Sequence, residues 1–269
     1  MRSANGAVVV VTGATGGMGR AICRKFRAGG ARIVALDLHL PALRELAREL
    51  GGDSCEIARC DVTRQADCRS AIARARKRFG RIDVLINNAG ISHRSEFRRT
   101  DPAVLRKVME VSYFGSVYCT YHAIDALIES KGSIIALSSP AGFGPLVART
   151  GYSAAKHALH GFFDSLRTEL GSAVHVMLVC PAFTRTGIGT NSLNEKGKPI
   201  GQSQRSVGDF LEPEYVAERI FQGWQHDREL VLVGKTAWFG YYLNRFAPRL
   251  YRSLMLRSLR QELRTQARN

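Results

Sequence analysis

The chain has 269 residues, 45% of them hydrophobic and 23% charged, enough for one sizeable core and unlike a disordered or fibrous chain. A net charge of +16 raises nucleic-acid binding, but the arginines are spread over most helical segments, so a solvated basic surface is the reading and no nucleic-acid partner is expected. Cys23, Cys55, Cys60, Cys68, Cys119 and Cys180 form neither CxxC pairs nor a metal-ligand cluster, and no secretory signal opens the sequence, so a cytoplasmic protein with reduced thiols and no metal is expected.

Short β-branched runs then alternate with longer helical patterns, with no repeat or linker between them. The run at 7–13, AVVVVTG, is too short to cross a membrane and too uniformly apolar for a strand with a wet face. It leads into TGATGGMG, Thr12 to Gly19, and a helical pattern over 17–29. Glycines between a strand and its helix let the backbone approach a pyrophosphate held at the helix N-terminus. The next run, RIVALDL at 32–38, closes with Asp37. A carboxylate there, about twenty residues past the glycines, accepts hydrogen bonds from adenosine ribose hydroxyls and repels a 2′-phosphate. No Lys or Arg lies inside the turn or directly after Asp37, so NAD(H) is favoured, with NADP(H) as the alternative.

Further strands are predicted at 55–62, 82–88, 133–139, 174–181 and 229–234, and helices near 41–50, 64–79, 102–130, 152–171 and 213–226. Asp101-Pro102 is a capping pair for the helix at 102–130. The alternation predicts an α/β fold: a Rossmann-like, doubly wound parallel sheet of about seven strands with helices on both faces. Ligands then lie at the carboxyl ends of the strands. Near one such end GYSAAKHALHGFF, Gly151 to Phe163, sets Tyr152 and Lys156 one turn apart on one helix face. Such a pair alone is ordinarily a ring packed under a solvated amine.

Its company changes that reading. Thr12, Gly13, Gly17 and Gly19, then Asp61-Val62, Asn87-Asn88-Ala89-Gly90, Ser139, Tyr152 and Lys156, with Ser139 and Tyr152 thirteen positions apart, resemble the short-chain dehydrogenase/reductases in their compact single-domain form. The resemblance covers roughly residues 6–236. It implies an oxidoreductase that moves hydride between a nicotinamide cofactor and a secondary alcohol or ketone. Thr12, Gly13, Thr15, Gly17, Met18 and Gly19 would form the cofactor turn, Asp61 and Val62 the adenine pocket, and Asn88, Ala89 and Gly90 the segment after strand four. Pro181, Phe183 and Thr186 would contact the nicotinamide; Ser139, Tyr152 and Lys156 would be catalytic. The turn also fits the longer, epimerase-like branch through Gly16, but that branch needs a larger C-terminal domain than the 113 residues after Lys156 provide.

On this resemblance the Lys156 ammonium and a cationic nicotinamide lower the Tyr152 phenol from about 10, making it usable as acid and base. Ser139 would hold the substrate oxygen and Lys156 the nicotinamide ribose. Ser112 stands where the family has an asparagine that anchors a proton-relay water, and a hydroxyl offers one donor instead of two. Ala182 replaces a usual glycine, a small change unless positive φ is required there.

Residues 184–210 read as a lid over the substrate. The catalytic domain is assigned to 1–236 and a basic amphipathic helical appendage to 237–269. From Lys235 onward there are eight Lys/Arg against one Glu, together with Trp238, Phe239, Tyr241, Tyr242, Phe246 and Tyr251. On a helix Arg249, Arg257, Arg260, Arg264 and Arg268 share an arc of roughly 100°. Such a tail can lie on an anionic membrane surface, pack on a partner subunit, or cover its own domain. Peripheral membrane contact would suit a steroid-, retinoid- or acyl-like substrate. The alternatives are a non-catalytic dinucleotide-binding regulator and a membrane-surface adaptor acting through the tail. The family resemblance implies a homodimer or homotetramer.

Overall fold

The computed structural model describes residues 1–202 and 210–266, with side chains up to Arg257. Seven strands form one sheet: β1 Val8–Thr12, β2 Arg32–Asp37, β3 Cys55–Arg59, β4 Val84–Asn87, β5 Ser133–Leu137, β6 His175–Pro181 and β7 Leu230–Val233. Their order is β3-β2-β1-β4-β5-β6-β7 and every pairing is parallel. The helices are α1 Gly17–Ala28, α2 Leu40–Leu50, α3 Gln65–Phe79, α4 Pro102–Met109, α5 Gly115–Ser130, α6 Thr150–Leu170, α7 Pro213–Gln225, α8 Lys235–Phe246 and α9 Pro248–Gln266.

Strand side chains alternate between two apolar layers. Val9 and Val11 pack with Ile22 and Phe26 of α1, Leu46 of α2 and Ile220 of α7 on one face. Val8 and Val10 pack with Ile72 of α3, Leu127 of α5 and Phe163 of α6 on the other. Both faces are covered, which is why the strands read as continuous apolar runs. The chain winds outward from β1 to β2 and β3, then returns to place β4 on β1's other side. That reversal opens a crevice at the carboxyl ends of β1 and β4, where the glycine turn and Asn88 lie.

Two elements differ from the sequence reading. The helix expected over 102–130 is divided by a π-helical turn at Glu110–Phe114, with Ser112 at its centre. Such a turn inserts one residue without ending the helix, and apolar periodicity does not resolve it. The tail is two helices rather than one, broken at Ala247-Pro248. Pro248 lacks the N–H that an uninterrupted helix needs, but is well suited to a first turn. The tail is fastened to the loop after β5. Tyr251 is buried and its hydroxyl lies 2.6 Å from where a Cβ on Gly144 would stand, Asn244 donates to the Phe143 carbonyl, and Phe143 meets Tyr241 edge to face. The arc expected for Arg260, Arg264 and Arg268 lies outside the described side chains.

Candidate active site

The glycine turn is built by stitching β1 to β4. Thr12 Oγ1 accepts from the N–H groups of Asn88 and Ala89, both at 3.0 Å, while Asn88 Nδ2 donates to the carbonyls of Thr12 (2.9 Å) and Gly13 (3.0 Å). Thr12 Oγ1 and Asn88 Nδ2 are therefore spent on the scaffold. Gly13 has φ +63°, and a Cβ there would come within 2.9 Å of Ala89 Cα. A Cβ on Gly19 would lie 2.1 Å from the Gly13 carbonyl oxygen, so that glycine lets α1 close on the turn.

Gly17 is different. It is exposed, and its nearest neighbour is Thr186 Cγ2, 3.5 Å from an added Cβ. Helix α1 begins at Gly16 without a side-chain cap, so its first N–H groups face a cradle of bare backbone between Gly17 and Thr186. That cradle fits a pyrophosphate. Asp37 is fixed beside it, accepting from the N–H of Thr15 at 2.9 Å and of Leu38 at 2.7 Å. Arg20 donates to the Thr15 carbonyl at 3.2 Å and pairs with Glu45 (3.2 Å) and Glu49 (3.6 Å), so its cation is already matched by carboxylates. Asp61 accepts from the N–H (3.0 Å) and hydroxyl (2.7 Å) of Thr63, shaping the turn after β3, while Val62 is buried against Gly115.

Ser139 follows β5, and its Oγ accepts the Ala141 N–H at 3.2 Å. Tyr152, on the first turn of α6, lies near enough for the Ser139 hydroxyl to favour its phenolate. Lys156, only 4% exposed, donates from Nζ to the Leu137 carbonyl at 2.6 Å and stands 5.7 Å from the Tyr152 ring centroid. Burial raises the Tyr152 phenol above its ordinary value, with the Ser139 hydroxyl and the Arg149 charge acting the other way. The Lys156 amine is directed to the Leu137 carbonyl, and burial pushes its own pKa down to about 8.

Ser112 is also corrected in detail. Its hydroxyl donates to the Ile91 carbonyl at 3.0 Å and accepts the Ile91 N–H at 3.1 Å. The single donor expected for a relay water is thus committed to clamping the loop after β4. The π turn nevertheless meets the catalytic lysine: a Cβ on Gly90 would lie 3.5 Å from Ser112 Oγ and 3.6 Å from Lys156 Nζ. Ala182 is not among the residues with positive φ, and its N–H donates to Val233 at 2.9 Å, so the extra methyl is accommodated.

A cavity of about 430 Å³ joins these parts, bordered by Met18, Asn88, Gly90, Pro181 and Thr186 on the cradle side and by Ser139, Tyr152 and Lys156 at the catalytic end. Its remaining wall is mostly apolar, with Leu146, Phe183, Ile188, Phe239, Leu243 and Met255. The part drawn from α8 and α9 agrees with the alternative that the tail covers its own domain, though which residues do so was not legible in the sequence; nor was Arg149, a buried cation on the cavity wall. Of the expected lid, residues up to 202 dock on the loop after β4, where Leu193 N–H donates to Ser92 (2.9 Å) and Arg94 N–H to Leu193 (2.8 Å). Residues 203–209 lie outside the described residues.

The profile of the short chain dehydrogenase family matches residues 7–197. Dehydrogenase/reductase SDR family member 7B of Mus musculus is 34% identical over 270 residues, covering 97% of this chain and 84% of the mouse protein. 11-beta-hydroxysteroid dehydrogenase A of Sesamum indicum is 34% identical over 207 residues, covering 75% of this chain and 60% of that protein. The crystal structure of a short chain dehydrogenase/reductase from Burkholderia phymatum in complex with NAD superposes with a TM-score of 0.83 at 25% identity, covering 93% of this chain and 96% of that one.

Proposed function

The chain belongs to the short-chain dehydrogenase family and is an NAD(P)-dependent oxidoreductase, and from that premise we propose that it moves hydride between NAD(H) and a hydrophobic secondary alcohol or ketone. The observation that carries this reading is the Ser139–Tyr152–Lys156 group at one end of a cavity whose wall is mostly apolar. A nicotinamide dinucleotide, when bound, supplies the hydride acceptor or donor. The backbone between Gly13 and Gly19 and the N-terminus of α1 would hold its pyrophosphate, Asp37 its adenosine ribose and Lys156 its nicotinamide ribose.

Ser139 Oγ binds the substrate oxygen beside the phenol. Tyr152 gives its proton to a ketone oxygen in reduction and takes one from an alcohol in oxidation. Raised by burial, the phenol holds its proton at neutral pH, the form that reduction needs. Oxidation needs the phenolate, which the Ser139 hydroxyl and the Arg149 charge favour. Asp37 supports NAD(H), and the pairing of Arg20 with Glu45 and Glu49 leaves that cation less suited to a 2′-phosphate. The apolar wall supports a steroid-, retinoid- or acyl-like body. Nicotinamide absorbance with a panel of such alcohols and ketones tests the reading, and turnover only of small polar alcohols, or only with NADP(H), would overturn those finer points.

A second reading concerns the tail. Trp238, Phe239, Phe246 and Leu250 are exposed on α8 and α9, beside Arg245, Arg249, Arg252 and Arg257, with no acidic residue between Lys235 and Arg257. Among the described residues no helix is long and apolar enough to cross a membrane. Such a surface suits peripheral contact with anionic lipid from the cytoplasmic side, next to the mouth formed by Phe239 and Leu254. Co-sedimentation with phosphatidylserine vesicles, lost on truncation at Pro248, is expected. Absence of binding together with a homodimer or homotetramer that dissociates on truncation would favour subunit packing instead.

A further inference from the structure

Helix α6, which carries Tyr152 and Lys156, starts without a side-chain cap from Arg149. A helix start leaves backbone N–H groups without intrahelical partners, and buried ones need an acceptor from elsewhere. The N–H of buried Gly151, one residue before Tyr152, donates to His93 Nε2 at 2.8 Å. His93 is 0% exposed and comes from the loop after β4, 58 positions earlier.

The surrounding bonds assign its proton. Since Nε2 accepts, Nδ1 carries the hydrogen and donates to Ser95 Oγ at 3.3 Å. The Thr100 hydroxyl donates to the Glu96 carbonyl at 2.7 Å, so the Ser95 hydroxyl donates to Thr100 Oγ1 at 2.8 Å. Burial, followed by the charge of Arg149, lowers the His93 pKa to about 4, which keeps the imidazole neutral at neutral pH.

The same loop grips the turn on both sides of the helix start. Ser95 N–H donates to the Ala148 carbonyl at 3.0 Å, and Ala148 is held at φ +56°, a conformation costly for a residue with a side chain. A Cβ on Gly151 would lie 2.9 Å from Leu105 Cδ2 and 3.2 Å from His93 Nε2, so the imidazole fits because residue 151 is glycine. The backbone of His93 is itself anchored, because it bridges Leu193 in the cavity-side segment.

We propose that His93 is a positioning residue for Tyr152: it caps the catalytic helix from the loop after β4 and thereby fixes the phenol against Ser139. This goes beyond the proposed reaction and rests on it for Tyr152's role as acid and base. The imidazole joins the loop that follows the cofactor-side strand to the helix that bears the proton donor, beside the Ser95–Ala148 bond at the turn before it. A displaced phenol moves away from the Ser139 hydroxyl that favours its phenolate, and misplacement by about 1 Å is enough to cost roughly 10²-fold in rate.

Two variants of the full chain test this. His93→Leu removes the acceptor, whereas His93→Gln keeps an amide oxygen able to receive the Gly151 N–H. Expected for His93→Leu is a kcat lower by roughly tenfold or more, with the NADH Kd within about twofold of wild type and the tyrosinate titration of Tyr152 moved to higher pH. Difference spectra against the same variants carrying Tyr152→Phe isolate that titration. His93→Gln should recover most of the rate and of the titration. Equal rates and titrations in wild type and His93→Leu, or no recovery in His93→Gln, would overturn the proposal. If His93→Leu folds too poorly to measure, Ser95→Ala loosens the imidazole without removing it and should shift the titration in the same direction; no shift there refutes the role. Because the titration needs no substrate, a wild type that binds NADH but turns nothing over would defeat the proposed reaction while leaving His93 testable.

Discussion

Lys156→Met removes a buried charge while keeping an unbranched chain of similar length, so stability and activity are expected to move in opposite directions. Burial lowers the amine from 10.5 to about 8, which corresponds to roughly 3 kcal/mol of penalty on the charged form at neutral pH. Methionine also forfeits the Nζ bond to the Leu137 carbonyl, a loss of about 1 kcal/mol. The net expectation is a variant more stable by about 2 kcal/mol at pH 7, or roughly 4–8 °C in Tm for a chain of this size. The unfolded chain keeps its proton up to about pH 10.5 and the folded one releases it near 8, so between those limits the unfolded state binds more protons and wild-type stability rises with pH. Below pH 8 the penalty is present in full; above it the gap between the two proteins narrows. Thermal denaturation at pH 7, 8.5 and 9.5 with and without the substitution, alongside NADH binding and turnover, measures this. A variant less stable than wild type at pH 7, or a gap that stays constant through pH 9.5, would refute the desolvation argument.

The glycines of the cofactor turn should separate by role. Gly19→Ala drives a methyl into the Gly13 carbonyl and should lower Tm by the several degrees expected of overpacking, whereas Gly17→Ala should leave Tm unchanged and weaken NADH binding, because its Cβ enters only the cradle. Equal effects of the two on Tm would contradict this division. Asp37→Ala with Leu38→Arg should raise the ratio of kcat/KM for NADP over NAD by at least about tenfold, since one repulsion is removed and a phosphate partner added. A wild type already selective for NADP would show that Asp37 has been misread. Ser112→Ala leaves the Ile91 N–H and carbonyl without their partner and should lower both turnover and Tm, while Ser112→Asn should hold Ile91 and keep turnover. Turnover and Tm equal to wild type in Ser112→Ala would contradict the clamping role.

The strands were readable because burial on both faces leaves an unbroken apolar run, as in Val8 to Val11, and the turn was readable because Gly13 and Gly19 meet backbone that excludes any side chain. Local signals of that kind do not depend on distant partners. What stayed hidden depends on them. The Tyr152 and Lys156 pairing was visible as one helical turn, but the direction of the Lys156 amine is set by the Leu137 carbonyl of β5 and the upward shift of the Tyr152 phenol by burial among distant elements. Thr12 and Asn88 were readable as part of the cofactor turn, but the way Thr12 Oγ1 and Asn88 Nδ2 tie β1 to the segment after β4 was not. His93 carries no spacing signal, because the N–H it receives belongs to a helix 58 positions away. The tail's pattern left membrane, subunit and own-domain packing open, because the contacts of Tyr251 with Gly144 and of Asn244 with Phe143 that seat α8 and α9 lie about a hundred positions away in sequence.

The central claim is that the Tyr152 hydroxyl carries the proton of the reaction, and Tyr152→Phe tests it most directly. NADH affinity and substrate turnover should be measured on the same preparation, with the hydrophobic substrate best used by wild type. The account predicts an NADH Kd within about twofold of wild type and a kcat reduced by roughly 10²–10⁴-fold, the share attributable to positioned acid–base catalysis. A phenylalanine variant that retains more than about a tenth of wild-type turnover would contradict it.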